Sequence, residues 1–352
     1  MKHQVNIYGL SRGLLGLLGL LALIIGLVLS TFMQKQDITP NVGAPTALAR
    51  VQTITTATAA GEVYTLFGQI KTWLQQDPAA LAQVAKMLND TRGEDDDTRR
   101  RMSLLYGALA ESTNPAAGLA LVDLLRQRLS ESAVIQAAAA LGDQIHPPKA
   151  ALDALWQEVQ QPLSAASRNV SLLAFGSLAH HLDNDLNDAT MRLLSLTSHS
   201  HRPQAEIEVL AAMGNHGSMA YVSYIRKAAA NPSPQIRGAA LYALRFLPSS
   251  ELRDWLAVTA AADASNAVKA EAVRSLRVLS RDAMDVQRLT IVARSSTDPD
   301  VQLQVARILK NSCEEVDRSL RDHALGDIAQ HTHFDSVREF IGNGEGIPVK
   351  SH

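Results

Sequence analysis

The chain has 352 residues, long enough for one large domain or a repeat array with appendages. Hydrophobic residues make up 46% of it but aromatic ones only 4%, so the apolar mass is mostly Ala and Leu, which argues against a β-sandwich and for an all-α chain. A formal charge of −2 gives no global attraction to nucleic acid or anionic lipid, so no nucleic-acid partner is expected and any partner must be chosen by local patches.

Residues 1–12 carry Lys2 and Arg12 and form a short N-terminus. Residues 13–33 read "GLLGLLGLLALIIGLVLSTFM" without a charge; as a helix rising about 1.5 Å per residue this run spans about 30 Å, one bilayer core. A cleaved signal peptide has a shorter apolar stretch and a small-residue site close behind it, whereas the nearest candidate here, Ala47-Leu48-Ala49, lies well beyond Met33. The segment therefore reads as an uncleaved signal anchor. Lys2 and Arg12 before it, against Lys35 after it, place the N-terminus in the cytoplasm. The expected localisation is a bacterial inner membrane, crossed once, with the bulk of the chain periplasmic. Gly9, Gly13, Gly16 and Gly19 gather small residues toward one face of the span, as membrane helices commonly do.

Residues 34–60, with Pro40, Gly43, Pro45 and many Thr and Ala, read as a flexible linker. From 61 to 331 short apolar-periodic segments alternate with turn signals, and no run shows the alternation of a strand. Aligning "LYGALAES", "AAAALGDQ", "LLAFGSLA", "LAAMGNHG", "LYALRFLP", "VRSLRVLS" and "VARILKNS" puts Leu109, Leu141, Phe175, Met213, Leu244, Leu276 and Leu309 in register. Their separations of 32, 34, 38, 31, 32 and 33 mark a helical-hairpin repeat. Asp77-Pro78 marks an earlier helix start, and residues 61–90 read as a first, atypical hairpin. "SPQIR", "SNAVK" and "DPDVQ" open three later units, each with a Ser or Asp placed to cap the first helix. Ile236, Ala239, Ala240, Ala243, Leu244 and Leu247 then follow helical spacing as a buried stripe. One hairpin cannot bury such a stripe alone, so neighbours must stack.

The unit length, the Asp/Ser-Pro start, the Val/Ile-Arg/Lys step and the "A..AL..L" first helix resemble HEAT repeats over roughly residues 100–312. The resemblance implies a right-handed α-solenoid of stacked hairpins and leaves function open. "LAAMGNHGS" followed by "IRGAALYALRFLP", near residues 204–247, also looks like the helical domain of the vitellogenin family of lipid-transfer proteins. That likeness covers about one and a half repeats and implies lipid or apolar-ligand carriage as an alternative.

Several residue groups are candidate sites. Within "LAAMGNHGSMAYVSYI" (210–225), Gly214 fits the left-handed residue that ends a helix, Ser218 caps the next, and His216 reads as an exposed turn residue. A phosphate loop is excluded there, since no Lys-Ser/Thr pair follows. Arg245, Arg277 and Lys310 directly follow their anchor residues, and Arg237 and Lys269 share a position seven residues before theirs. Stacking brings these five into a basic row that suits a partner protein with an acidic surface; the competing reading is a ladder of salt bridges with acids such as Asp254, Glu271 and Asp300. "EDDDTRRR" (94–101) lacks the interleaved oxygens and glycines of a calcium loop and reads as a solvated loop with acids at a helix N-terminus. His180-His181, His199-Ser-His201 and His331-Thr-His333 supply too few ligands for zinc and read as turn histidines.

No His-Glu dipeptide, Gly-Lys-Ser/Thr phosphate loop, Gly-x-Ser-x-Gly elbow or His-Glu-x-x-His motif occurs, so no enzyme activity and no cofactor are expected. The single cysteine, Cys313, cannot form an intramolecular disulfide, a lipobox or a multi-thiolate metal site. Residues 332–352 lose helical periodicity at Gly342 and read as a tail or capping extension. The functional expectation is a membrane-anchored scaffold that binds a partner protein as an accessory component of an envelope assembly.

Overall fold

A computed structural model describes residues 44–342 except 78, 92, 94, 183–185, 198–201, 248, 280–281 and 312–315. Among the described residues there are 18 α-helices and no strand. Helix α1 (Ala44–Gln52) precedes a succession of hairpins. These are α2 (Ala60–Gln76) with α3 (Ala80–Asp90), α4 (Asp96–Ala110) with α5 (Pro115–Gln127), α6 (Glu131–Gly142) with α7 (Ala150–Gln160), and α8 (Ala165–His181) with α9 (Leu186–Thr197). They continue as α10 (Pro203–His216) with α11 (Val222–Ala228), joined through a short 3-10 turn, Met219–Tyr221. After them come α12 (Pro234–Tyr242) with α13 (Ser250–Ala262), α14 (Asn266–Leu279) with α15 (Ala283–Ser295), and α16 (Pro299–Asn311) with α17 (Arg318–His331); α18 (Asp335–Gly342) closes the series. Among the described residues no helix is long and apolar enough to cross a membrane, and the expected span at 13–33 lies outside them.

Local chemistry sets the helix starts. Asp95, Asn114, Ser130, Ser164, Ser249, Asp282 and Asp317 each accept a hydrogen bond from a backbone N–H in the first turn of the helix they precede. Each such cap contributes about 1 kcal/mol by satisfying a donor that the helix leaves open. Ser164 and Ser167 form a reciprocal capping box, 3.0 and 2.9 Å, at the head of α8. Of the three starts expected from the repeat pattern, Asp298 accepts from the Asp300 amide at 2.8 Å. Ser233 departs from the expectation: its hydroxyl lies 2.8 Å from Gln235 Oε1, so it leaves the first turn of α12 without a side-chain cap.

Burial follows the repeat register. Leu109, Leu141, Phe175, Met213, Leu276 and Leu309 are fully buried and Leu244 is 2% exposed. Burying a side chain of that size stabilises by about 2 kcal/mol. Helices pack mainly on a sequence neighbour or on a helix two places along: first helices on first helices, as α6 on α8 and α8 on α10, and second helices on second helices at the two ends of the series, as α5 on α7, α13 on α15 and α15 on α17.

The N-terminal stretch differs from its expected character, and the C-terminal one takes the capping form of its two readings. Of the stretch 34–60 read as linker, residues 44–52 are helical, and Ala47, Val51 and Ile54 are buried against α2. Pro45 stands in the first turn of α1, where its missing N–H costs nothing, so the proline taken for a linker signal starts a helix. At the other end, α18 buries Val337 and Ile341 on α16, so 335–342 covers the last repeat.

Candidate functional site

The hairpin joint at 210–225 differs from its sequence reading in two residues. α10 runs through Gly214 and ends at Gly217, which holds the left-handed conformation (φ 72°, ψ 24°) and whose N–H donates to Met213 O at 2.9 Å. Gly214 serves close approach instead: a Cβ there would lie 2.8 Å from Ala243 Cα and 2.2 Å from Arg245 Nη1. His216 is 2% exposed, not a solvent-facing turn residue. Its Nδ1 shares a 2.6 Å hydrogen bond with the buried Tyr221 hydroxyl, and its Nε2 has no hydrogen-bond partner. Burial, reinforced by the neighbouring His180, pulls its pKa from 6.5 down to about 4. His180 itself is exposed, donates from Nδ1 to His216 O at 2.9 Å and stacks on Phe246 with 5.7 Å between centroids. The difference has a plain cause: the helix continues three residues past the expected stop, which moves the left-handed position from Gly214 to Gly217 and leaves His216 inside the last turn.

The expected basic row is broken because most of its members are spent inside the packing. Arg245 is 4% exposed and donates to Tyr242 O and Ala211 O, both 3.0 Å, and to Asn215 Oδ1, with the Tyr242 ring 4.1 Å below the guanidinium. Burial lowers its pKa. Lys269 is 5% exposed and donates to Ser295 O. Lys310 donates to Ile341 O at 3.2 Å and to Phe340 O, holding the C-terminus of α18. Arg237 forks onto Asp263, Nε to Oδ2 at 2.7 Å and Nη2 to Oδ1 at 2.9 Å, and the bonded guanidinium holds the Asp263 carboxyl below its usual range. Only Arg277 is exposed and without a hydrogen bond or ion pair to another described residue. The charges are thus consumed, but largely by backbone carbonyls. Of the acids considered for a ladder, Asp254 bonds Arg288 and Glu271 bonds Arg274.

The "EDDDTRRR" run, whose Glu94 lies outside the described residues, clamps the turn after α1. Arg100 donates to Thr55 O and Thr56 O, each 2.7 Å, and to Thr58 O at 2.8 Å, while Arg101 donates to Gln52 O at 3.0 Å and Asp97 accepts from the Thr56 amide at 2.6 Å. Of the histidine pairs, His331 bonds Asp327 O at 2.7 Å, and His199 and His201 lie outside the described residues. Among the described residues no group of three or more His, Cys, Asp or Glu is placed to hold a metal ion.

Three features were not read from sequence. Buried Asp285 and Arg288 form an ion cluster with the partly buried Arg253 that joins α13 to α15, with Asp285 accepting from Arg253 Nη1 at 2.8 Å and from Arg288 Nη1 at 2.7 Å. Large exposed apolar side chains are unevenly shared between the two helices of the hairpins. Among the described residues, and apart from Tyr64, those in α-helices, Leu119, Met191, Val258, Met284 and Ile291, lie on second helices of hairpins. Between two of those helices, α5 and α7, a cleft of about 250 Å³ is lined by Leu125, Arg126, Arg128, Ala154, Gln157 and Glu158. Arg128 is the one non-glycine residue with positive φ among the described residues (φ 51°). Its sequence neighbours, Gln127 and Leu129, carry no turn signal that announces this.

No protein-family model matches the chain, and no curated protein matches it.

Proposed function

We propose that the chain is a membrane-anchored, extracytoplasmic scaffold: a HEAT-like, right-handed α-solenoid, tethered by residues 13–33, that binds a partner protein as a non-enzymatic accessory component of a bacterial envelope assembly. The observation that carries the reading is the placement of Leu119, Met191, Val258, Met284 and Ile291 on second helices, against Tyr64 alone on a first helix among the described residues. Single exposed apolar residues are ordinary, but a set concentrated on one class of helix supports a surface that another molecule covers. Val258 and Ile291 stand 33 residues apart on α13 and α15, which pack together, so these two occupy equivalent places in successive hairpins. Packing chiefly between neighbours one and two places along supports the stacked-hairpin architecture. The inward use of Arg237, Arg245, Lys269 and Lys310 moves the binding surface away from the basic row and onto the second helices.

The test is photo-crosslinking of the full chain in intact membranes, with the crosslinker at Val258 or Ile291 and, for comparison, at Gln75 or Arg277 on first helices. A discrete protein adduct from the second-helix positions alone is the expected result. Adducts of equal yield from both faces, or none from either, would contradict the reading.

A further inference from the structure

We propose that the cleft between α5 and α7 is a subsite for an acidic, leucine-bearing segment of the partner protein, held by Arg126 and Arg128. The inference rests on the scaffold reading and names the chemistry of one stretch of its surface. Leu125 and Ala154, 2% and 4% exposed, are its buried apolar residues, and Gln157 adds an exposed polar one. Glu158 is a carboxylate 3% exposed at the same cleft, and its charge is already answered: Oε1 accepts from the Leu163 amide and from the Ser167 hydroxyl, both 2.7 Å, and Oε2 lies 3.3 Å from Arg128 Nη1. Arg128 spends only Nη1, on Glu158 and on Gln161 O at 2.9 Å; its Nε and Nη2 make no hydrogen bond to a described residue. Arg126 is exposed and has no ion pair or hydrogen bond with a described residue. With Glu158 neutralised, the cleft keeps one uncompensated positive charge and unspent guanidinium donors, which suit a carboxylate.

The apolar half of the ligand follows from the adjoining loops. Leu129 directly follows Arg128, and the Leu163 amide is bonded to Glu158; both leucines are exposed, 40% and 44%, and they stand 34 residues apart at equivalent places in successive repeats. Arg128 bridges the two loops that carry these leucines, through its bond to Gln161 O.

The test uses the full chain in detergent and two labelled peptides with capped ends, Leu-Glu-Leu-Glu-Leu and its counterpart with both glutamates changed to glutamine, followed by fluorescence anisotropy. The acidic peptide should bind saturably and at least about tenfold more tightly than the glutamine peptide, with affinity falling as salt rises. Arg126→Glu should abolish the preference without changing the melting temperature. Arg128→Gly, which keeps the left-handed backbone and removes the guanidinium, should weaken the acidic peptide selectively. Equal binding of the two peptides, no saturable binding, or an unchanged preference in Arg126→Glu overturns the proposal. If in addition the crosslinked adduct at Val258 and Ile291 persists in Arg126→Glu, the scaffold reading stands and only the subsite falls; if that adduct is absent from the parent protein too, both fall.

Discussion

His216 titrates against the fold. In the folded chain its pKa sits at about 4, against 6.5 for a solvated histidine, because burial disfavours the imidazolium and Nε2 has no acceptor for a second proton. Between those two values the unfolded chain binds a proton that the folded chain does not, so stability falls as pH drops from about 6.5 toward about 4 and is independent of this group above that window. At about 1.4 kcal/mol per pH unit the loss reaches about 3 kcal/mol at the limit. His216→Gln, which retains a partner for the Tyr221 hydroxyl, should flatten this slope; urea midpoints of parent and variant between about pH 7 and pH 4.5 measure it, and parallel profiles would refute the assignment. Two residues away, Gly214→Ala should destabilise by about 1–3 kcal/mol, since a methyl 2.8 Å from Ala243 Cα forces α10 and the end of α12 apart, which outweighs alanine's helix preference of about 1 kcal/mol. A melting temperature equal to or above that of the parent would show that the two segments have room to spare.

At the scale of elements, α1 is held by both kinds of force. Ala47 and Val51 supply its apolar contact and Ile54 is buried just beyond it, while Arg100 ties three carbonyls of the following turn. A planar guanidinium can serve three acceptors in a fan, whereas an ammonium is a compact point charge without that fork. Arg100→Lys should therefore release residues 53–58 almost as fully as Arg100→Ala, raising amide exchange there while leaving α4 protected; rescue by lysine would show that charge alone suffices. This strap was not legible in the sequence. Pro45 and the Thr-rich run have a linker's composition, and the arginines that hold them lie more than 40 residues away, beyond any local pattern. Periodicity was legible where burial alone decides it: the anchors from Leu109 to Leu309 are all inside, because helical spacing and apolar chemistry act locally. The basic row shows where such reading ends. Register placed Arg245, Arg277 and Lys310 at equivalent positions, yet Arg245 turns back to Ala211 O, Lys310 reaches forward to Ile341 O, and Arg277 remains in solvent. A long side chain takes whichever carbonyl lies within reach, and sequence register does not record which carbonyls those are.

For the whole molecule, the decisive property is that helices pack on neighbours one and two places along. In such a chain each repeat is stabilised by itself and by its two interfaces, so damage spreads only through successive contacts. Phe175 tests this. It is fully buried in α8, which packs on α6, α7 and α10, and its ring lies 5.3 Å from that of Trp156. Phe175→Ala removes a large core side chain at a cost of about 3–5 kcal/mol, comparable to the whole stability of a small domain. If stability were global, amide protection would fall equally everywhere. With neighbour-only coupling, protection should fall in α6 to α10 and remain at the parent level in α14 to α17, whose own ties, including the Arg253–Asp285–Arg288 cluster between α13 and α15, do not involve Phe175. Native-state hydrogen exchange with peptide-level mass spectrometry resolves the two cases. A uniform loss would mean that the hairpins unfold as one cooperative body, whereas a local loss would leave the α13–α15 surface, with Val258 and Ile291, available to a partner even when the middle of the array has opened.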